Sequence, residues 1–418
     1  MQLRNRLDWL LQVVYTTARL YARNGLANHA AATSFYFLLS ATPLLLLLTY
    51  AAQWLTTLAE GSIPAAILLA ALYEQYHLDR LAAMGFIPSQ ALLGAGGIGL
   101  VTLLLFSRKL VHAIEQAFNV IFPEEGKRRL IVSWALPFVV LPIAFALVVL
   151  AVVVQGAIQF LVQAELLGAT RGLLLKLLNL LLLFGTVWLL VAIAYWRLPL
   201  RHPRLRQAAA LALLTTLALY LLFALFEYFF RIEQYRSVYG ALGGVVLTLV
   251  AAYAAFLAFY LGAQCLYALS KVDVAALERL MLASGEGAGR LERLVFGRAR
   301  RLLDKYGRVH PPGATLIREG ERGEEAYFLY SGRVGLYKQA NGQQVRLGEL
   351  GEGQLFGEMA YLLGEARTAT VVAETEVVVL VLPPALLEEL MRHSAPLARQ
   401  IITTLAERLM RMNAVLRA

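Results

Sequence analysis

The chain has very few cysteines and few charged residues for its length. Cys265 is its single cysteine, which excludes a disulfide within the chain and any zinc or iron–sulfur site built from cysteines. Charged residues make up 16% of the 418 residues and hydrophobic residues 59%, so the chain is too apolar for an ordinary soluble protein and too long for one domain. We expect at least two domains, one of them in a membrane.

Clusters of metal ligands are also lacking. The six histidines are scattered and form no His-x-His or His-x-x-x-His pair: His29, His77, His112, His202, His310 and His393. We therefore expect no metal site, and neither nuclease nor other enzymatic activity. Basic runs interleaved with aromatic residues are missing as well, so we expect no nucleic-acid partner. The net charge of +10 instead indicates loops that face anionic lipid headgroups.

Apolar runs long enough to cross a bilayer fill the first two thirds of the sequence. Six such runs predict transmembrane helices, because lipid offers the backbone no hydrogen-bond partner. They lie at about 33–56, 91–107, 132–161, 173–196, 207–230 and 242–268. Lys and Arg are more frequent in every second connecting segment, starting before the first span, so the positive-inside rule places both termini in the cytoplasm. No cleavable secretory signal is expected.

Four polar residues in or beside these spans are candidates for a substrate cavity. Arg108, His112 and Glu115 share one face of the helix predicted after the second span, and the favoured interpretation of that pattern is a solvated face beside headgroups. Glu227 lies within the fifth span, where a carboxylate is costly unless it is paired, protonated or hydrated. Its alternative is a position near the end of the span, within reach of Arg231.

Three stretches of this region carry a family resemblance. They are Ala30-AATSFYFLLSATPLLLLL, Ser107-RKLVHAIEQAFNVIF and Tyr239-GALGGVVLTLVAAYAAFLAFYLGAQ. Together they resemble the YihY/BrkB family of bacterial inner-membrane proteins, formerly labelled ribonuclease BN. The resemblance covers about residues 10–270 and implies an inner-membrane domain. Gln264 stands where we would expect an acidic residue near the end of the last span.

The composition becomes that of a soluble domain after residue 270. Helical patterns on either side of Gly285 to Gly289 predict a helical linker, or hinge, over 271–294. The predicted domains are therefore a membrane domain over 1–270, this linker, and a soluble domain over 295–418.

Strand and turn patterns dominate the soluble domain. Glycines separate short alternating runs from Pro311 onward, and Asn341-Gly342 between two runs predicts a hairpin. Such a pattern is typical of a small β-barrel or jelly roll. Two helices, at about 384–393 and 396–416, follow it. The predicted fold class is thus multi-domain, with an all-α membrane domain of six transmembrane helices before a β-barrel or jelly roll with flanking helices.

The segment Leu355-FGEMAYLLGEARTATVVA contains the most informative pattern. The residues Phe356-Gly357-Glu358 end a strand and start a short helix, and the first N–H groups of a helix can hold an anion. Arg367, nine residues after Glu358, has a planar double donor suited to phosphate. The Glu358 carboxylate can accept a hydrogen bond from a sugar hydroxyl. These residues predict a pocket for a phosphate joined to a sugar.

The same segment closely resembles the phosphate-binding cassette of cyclic-nucleotide-binding domains, FGE-x-A…R-[ST]-A. The resemblance covers about 295–418 and implies cAMP as regulatory ligand, with cGMP open because the Thr368 hydroxyl can meet a guanine amino group. It implies the following roles: backbone N–H groups of Gly357, Met359 and Ala360 on the cyclic phosphate, Glu358 on the ribose 2′-OH, Arg367 on the phosphate oxygens, and Thr368 and Ala369 near phosphate and base. Phe356, the first residue of the cassette, completes the set of eight predicted site residues. The alternative is a domain that keeps the fold without the ligand.

An apolar stripe marks the last helix. It consists of Leu397, Ile401, Leu405, Leu409, Met412 and Leu416. The stripe allows three interpretations: a lid over the base, packing on the barrel, or contact with a second subunit in a homo-oligomer. No helix-turn-helix pattern follows, so we do not expect DNA binding.

Together, these features predict a cyclic-nucleotide-regulated transporter or flippase-like carrier in the bacterial inner membrane, with an unidentified substrate that includes lipid among its candidates. The familiar cyclic-nucleotide-gated channel is disfavoured, because no span has Arg at every third position and the link between spans five and six is too short for a pore helix and filter. A pore of unfamiliar design, a signalling receptor and, least favoured, a ribonuclease are the alternatives.

Overall fold

The structure is a computed structural model that describes residues 2–40, 96–123, 169–200, 202–229, 232–282, 300–340 and 343–417. The chain divides into two compact units. One unit comprises residues 17–267, and the other combines residues 1–16 with residues 268–418. We call them the membrane unit and the C-terminal unit.

Helices make up the described part of the first 282 residues. They are α1 (Gln2–Arg23), α2 (26–40), α3 (Gly96–Ile121), α4 (Ala169–Arg197), α5 (Leu205–Phe229) and α6 (Ile232–Leu282). Among the described residues, three stretches are long and apolar enough to cross a membrane: Leu180–Arg197, Leu205–Phe226 and Gly243–Leu282. They coincide with the last three predicted spans. The predicted span at 132–161, most of the one at 33–56 and the start of the one at 91–107 lie outside the described residues.

Polar side chains connect helices inside the membrane unit. The Asn24 side chain donates to Gln264 Oε1 at 2.9 Å, and Gln264 is fully buried. The Thr33 and Tyr260 hydroxyls share a hydrogen bond of 2.7 Å, also in the interior. Such bonds stabilise helix association where lipid gives no hydrophobic driving force between helices. They connect α6 to the start of the membrane unit.

Gly262 lies where α6 passes closely beside two other helices. The Tyr195 hydroxyl on α4 contacts Thr215 Oγ1 on α5 at 2.9 Å and donates to the Phe259 carbonyl on α6 at 2.7 Å. A Cβ atom added at Gly262 would come closer than 3.0 Å to both hydroxyl oxygens. Only glycine therefore fits at this crossing.

Gly262→Ala is expected to destabilise the membrane unit by about 1–3 kcal/mol, the usual cost of overpacking. Thermal unfolding of the full chain in detergent measures the effect. Gly185→Ala on α4 is the matched control, because a Cβ atom there meets nothing within 4 Å. Equal unfolding temperatures for the two variants would contradict this packing.

Helix α6 continues well past the predicted end of the last span at 268. It reaches Leu282, so residues 271–282 of the predicted linker are helical. The glycine-containing segment 285–289 lies outside the described residues. Residues 268–282 belong to the C-terminal unit.

In its described residues, the C-terminal unit also contains eight strands and four further helices. The strands are β1 (Gly307–His310), β2 (Thr315–Ile317), β3 (Ala326–Ser331), β4 (Val334–Ala340), β5 (Gln343–Leu350), β6 (Leu355–Phe356), β7 (Thr370–Ala373) and β8 (Val377–Leu382). The helices are α7 (Arg300–Tyr306), α8 (Glu358–Leu363), α9 (Pro384–His393) and α10 (Ala395–Arg417). All strand pairs are antiparallel, in two sheets of order β1-β8-β3-β6 and β2-β7-β4-β5. The pairing of Ala340 with Gln343 confirms the predicted hairpin.

A hydrophobic core joins the sheets to the helices of this unit. It contains Val274, Leu277 and Met281 of α6, Phe328, Leu380 and Leu382 of the sheet, Leu387 and Leu390 of α9, and Leu397 and Ile401 of α10. The last turns of α6 are thus part of the core of the C-terminal unit.

Ion pairs hold the end of α6 from two sides. Lys271 donates to the Glu389 carboxylate on α9. The Asp273 carboxylate lies 2.6 Å from Arg301 and 2.5 Å from Lys305, both on α7. Because Lys271, Asp273 and Arg301 are partly buried, the Lys271–Glu389 and Asp273–Arg301 pairs are screened less by solvent than exposed surface pairs are. Charge and apolar packing therefore fix the same helix end.

Candidate functional site

The turn between β6 and α8 is built around Gly357. Its φ of +79° lies in the left-handed region, which side chains rarely adopt. An added Cβ would lie 2.8 Å from Arg367 Nη1 and 3.0 Å from Ile317 Cδ1. Glycine thus allows the chain to turn sharply from strand into helix while Arg367 approaches its backbone.

Arg367 is a buried cation, 7% exposed. Its guanidinium donates to the Gly357 carbonyl and, at 2.7 Å, to the Glu325 carbonyl. In the described part of the chain, both side-chain hydrogen bonds of Arg367 thus go to neutral acceptors. Burying a charge is costly unless an opposite charge or hydrogen bonds compensate it. This position therefore favours the binding of an anion.

A cavity of about 180 Å³ opens beside this guanidinium. Seven of the eight residues predicted for the nucleotide site line it: Phe356, Gly357, Met359, Ala360, Arg367, Thr368 and Ala369. Apolar side chains of the sheets, such as Ile317, Leu336 and Val371, complete the wall. The cavity thus joins a cationic end to an apolar surface.

Glu358, the eighth predicted residue, lines an adjoining cavity of about 230 Å³. It is 1% exposed. Both cavities have Glu349 and Leu350 of β5 in their walls. The structure therefore brings Arg367 and the α8 backbone to one cavity and the Glu358 carboxylate to its neighbour.

Tyr327 is a site residue that the sequence analysis missed. Its ring stacks on Phe356, with centroids 5.4 Å apart, and the Arg367 guanidinium carbon lies 6.0 Å from the ring centre. Burial, and next the Glu325 carboxylate, raise the pKa of the Tyr327 hydroxyl, while the Arg367 charge opposes this. The ring lies beside the guanidinium, at the outer range of a cation–π contact. Only its place in an alternating strand pattern could have indicated it.

Helix α10 begins as a core helix. Leu397 and Ile401 are buried in the core of the C-terminal unit, and Leu405 packs against them. The side chains of Leu409, Met412 and Leu416, the rest of the predicted stripe, lie outside the described part. Gln400 and Thr404 line the cavity that contains Glu358. The first half of α10 therefore packs on the sheets and lines this cavity.

The predicted membrane-cavity residues differ in exposure. Arg108 and His112 are exposed on α3, and His112 contacts Gln116 at 3.1 Å. Glu115 is buried, at 7% exposure. Glu227 lies on α5, and its side chain is outside the described part. Among the described residues, no group of three or more His, Cys, Asp or Glu could hold a metal.

Two family models match the chain. The one described as "Cyclic nucleotide-binding domain" matches residues 308–394, which include the Gly357 turn and Arg367. Fold and site thus define a membrane protein that carries a cyclic nucleotide-binding domain. The model described as "Virulence factor BrkB" matches residues 17–283, more than half of the chain. The chain belongs to the BrkB virulence-factor family, and both resemblances drawn from its sequence are confirmed.

Some relatives match the membrane part of the chain, and others match its nucleotide-binding domain. The UPF0761 membrane protein of Alkalilimnicola ehrlichii is 27% identical over 318 residues, 69% of this chain and 65% of that protein. A cyclic nucleotide-gated potassium channel of Rhizobium etli is 39% identical over 101 residues, 24% of this chain and 27% of the channel. The cyclic AMP receptor protein of Thermus thermophilus is 34% identical over 103 residues, 24% of this chain and 48% of the receptor. The chain thus spans less than two thirds of each relative.

A solved structure shows a similar local match. The crystal structure of the Thermus thermophilus catabolite activator protein is 28% identical, with a TM-score of 0.27, and the match covers 33% of this chain and 61% of that one.

Proposed function

We propose that the cavity beside Arg367 binds a cyclic mononucleotide, with cAMP as first candidate and cGMP as second. The observation that carries the proposal is the buried Arg367 guanidinium, bonded to carbonyl oxygens and open to a cavity. A cyclic phosphate supplies the missing negative charge and matches the planar fork of donors. Backbone N–H groups of Gly357, Met359 and Ala360 complete the phosphate site.

The two cavities suit the two ends of such a ligand. The ribose 2′-OH extends toward Glu358, whose carboxylate accepts its hydrogen bond. Thr368 and Ala369 lie at the phosphate and base. The base then comes near α10, the proposed lid. Cyclic AMP-binding relatives of this part of the chain support this choice.

For the membrane unit we propose transport, in the manner of a carrier or flippase, rather than enzymatic activity. Its buried polar contacts and the apolar side chains that α4 and α5 expose are those of a polytopic membrane protein. Glu115, buried on α3, is the residue we assign to a transport path.

Regulation then passes through α6. This helix includes a candidate span, and its last turns lie in the core that also holds α9 and α10. A ligand shifts a conformational equilibrium only by binding its states with different affinity. Closure of α10 over the nucleotide changes the packing around Leu277 and Met281 on α6. Because α6 is one continuous helix, this change extends along it to the candidate span.

Reconstituted full-length protein tests the function. We expect saturating cAMP to change the rate of labelled-lipid movement in liposomes by about 5- to 150-fold, the usual range of allosteric coupling. At a cAMP concentration that just saturates the unchanged protein, Arg367→Ala should weaken the response, and Arg392→Ala, outside both cavities, should keep it. Dissipation of an ion gradient without lipid movement would instead favour the alternative function, a pore of unfamiliar design. A rate of lipid movement that is the same with and without bound nucleotide would contradict the proposed regulation.

Both termini are proposed to lie in the cytoplasm of a bacterial inner membrane, where cyclic nucleotides are present. A green fluorescent protein fused after residue 418 should fluoresce, and alkaline phosphatase fused at the same place should be inactive. A dark green fluorescent protein fusion together with an active alkaline phosphatase fusion would contradict both the proposed orientation and the proposed binding of a cytoplasmic nucleotide.

A further inference from the structure

Part of helix α1 reverses the pattern expected of a helix at a water-facing surface, although Val13 is buried and Arg19 is exposed. Leu11 and Val14 are 56% and 63% exposed, whereas Gln12 and Thr16 are 3% and 7% exposed. A helix at a water-facing surface turns its polar residues outward and its apolar residues inward. The surroundings of the exposed face of α1 are therefore apolar.

The exposed residues form one stripe along the helix. Leu10, Leu11, Val14 and Ala18 are all exposed and follow helical spacing; we call them the α1 stripe. In the sequence, Leu3 and Leu7 continue the same spacing toward the N-terminus. The four described residues thus form one apolar strip along the helix rather than a set of isolated positions.

Charge on α1 complements an anionic surface. The helix contains four arginines, Arg4, Arg6, Arg19 and Arg23, and one acidic residue, Asp8. It is not among the candidate spans of the described residues. A basic helix with one apolar stripe and low overall hydrophobicity lies in the plane of a membrane surface instead of crossing it.

The position of α1 along the chain places it beside a membrane. Asn24 and Gly25 alone separate it from α2, which leads into the first predicted span. Gly25 has a φ of +59°, the left-handed conformation of a tight turn. A helix joined so closely to a transmembrane segment stays near the bilayer surface.

We propose that α1 is a membrane-surface helix whose stripe enters the acyl-chain region of the leaflet while its arginines contact anionic phospholipid headgroups. The partner is the leaflet itself. Because residues 1–16 belong to the same compact unit as the nucleotide-binding domain, α1 gives that unit its own lipid contact.

Spin labels on the full-length protein test this proposal. In a Cys265→Ser background, Leu11→Cys or Val14→Cys is labelled with a nitroxide and reconstituted into vesicles of phosphatidylglycerol and phosphatidylcholine. We expect both labels to be accessible to oxygen, shielded from a water-soluble nickel chelate, and about 5–10 Å below the headgroups. Val309→Cys on β1, also at a 63% exposed position, is the control and should show the reverse accessibility.

Nickel accessibility at 11 and 14 equal to that at 309 would overturn the proposal, because the stripe would then face water. Shielding from both probes would also overturn it, because protein, such as a second copy of the chain, would then cover the stripe. In vesicles of phosphatidylcholine alone the labels should be shallower, since the arginines lose their anionic partners. An unchanged depth would disprove the headgroup contact.

Discussion

Replacing Arg367 by alanine is expected to weaken cyclic-nucleotide binding by about 10- to 150-fold. The substitution removes charge-assisted hydrogen bonds to the phosphate, worth about 1.5–3 kcal/mol, and each 1.4 kcal/mol is about tenfold in affinity. It also removes the bonds to the Gly357 and Glu325 carbonyls that hold the turn before α8. Calorimetric titration of the full-length protein in detergent, with cAMP and then cGMP, measures the loss.

Two further variants make this result specific. Arg392→Ala should bind as the unchanged protein does, because Arg392 pairs with Glu388 on α9 and lines neither cavity. The affinity of Arg367→Lys should lie between those of Arg367→Ala and Arg392→Ala, because lysine keeps the charge but loses the planar fork. Equal affinities for Arg367→Ala and Arg392→Ala would show that the phosphate is bound elsewhere.

Leu277→Ala is expected to lower the stability of the C-terminal unit by about 2–5 kcal/mol. Leu277 is fully buried in the core formed with α9, α10 and the sheet, and truncation there leaves a cavity. Hydrogen exchange of the β8 amides measures the opening free energy of this unit. The most protected of them should exchange about 30- to 5,000-fold faster.

Ile402→Ala on α10 is the control for this experiment. Its side chain is 59% exposed, so we expect a change within about 0.5 kcal/mol. If β8 exchanges at the same rate in Leu277→Ala as in Ile402→Ala, the end of α6 is not part of this core, and the proposed route of regulation fails with it.

Features that depend on neighbouring residues were predictable from the sequence. The hairpin around residues 341–342 follows from the turn preference of Asn-Gly, and the strand-to-helix turn at Gly357 from a glycine between two patterns. Helix α9 was expected at 384–393, where the structure has it. In each case, a few consecutive residues determine the backbone.

Features that depend on distant residues were not predictable. The apolar run of the last span ends at 268 because Ser270, Lys271 and Asp273 follow, yet the helix continues to Leu282. It continues because Val274, Leu277 and Met281 are covered by segments about 100 residues later, a contact that local hydropathy does not contain. Similarly, the place of Glu358 in a second cavity depends on how α8 packs against α10 and α6.

The packing of α6 also bears on how such a protein can be assembled from modules. By sequence, residues 268–283 belong to the BrkB match, which ends at 283, while the nucleotide-domain match begins at 308. In the folded protein, the same helix end supplies core residues to the C-terminal unit. A domain excised or transplanted at the boundary between the two matches would therefore leave part of its interior behind. A functional fusion of this domain to another membrane domain has to include residues 268–282. Otherwise the other membrane domain has to supply an equivalent apolar helix end.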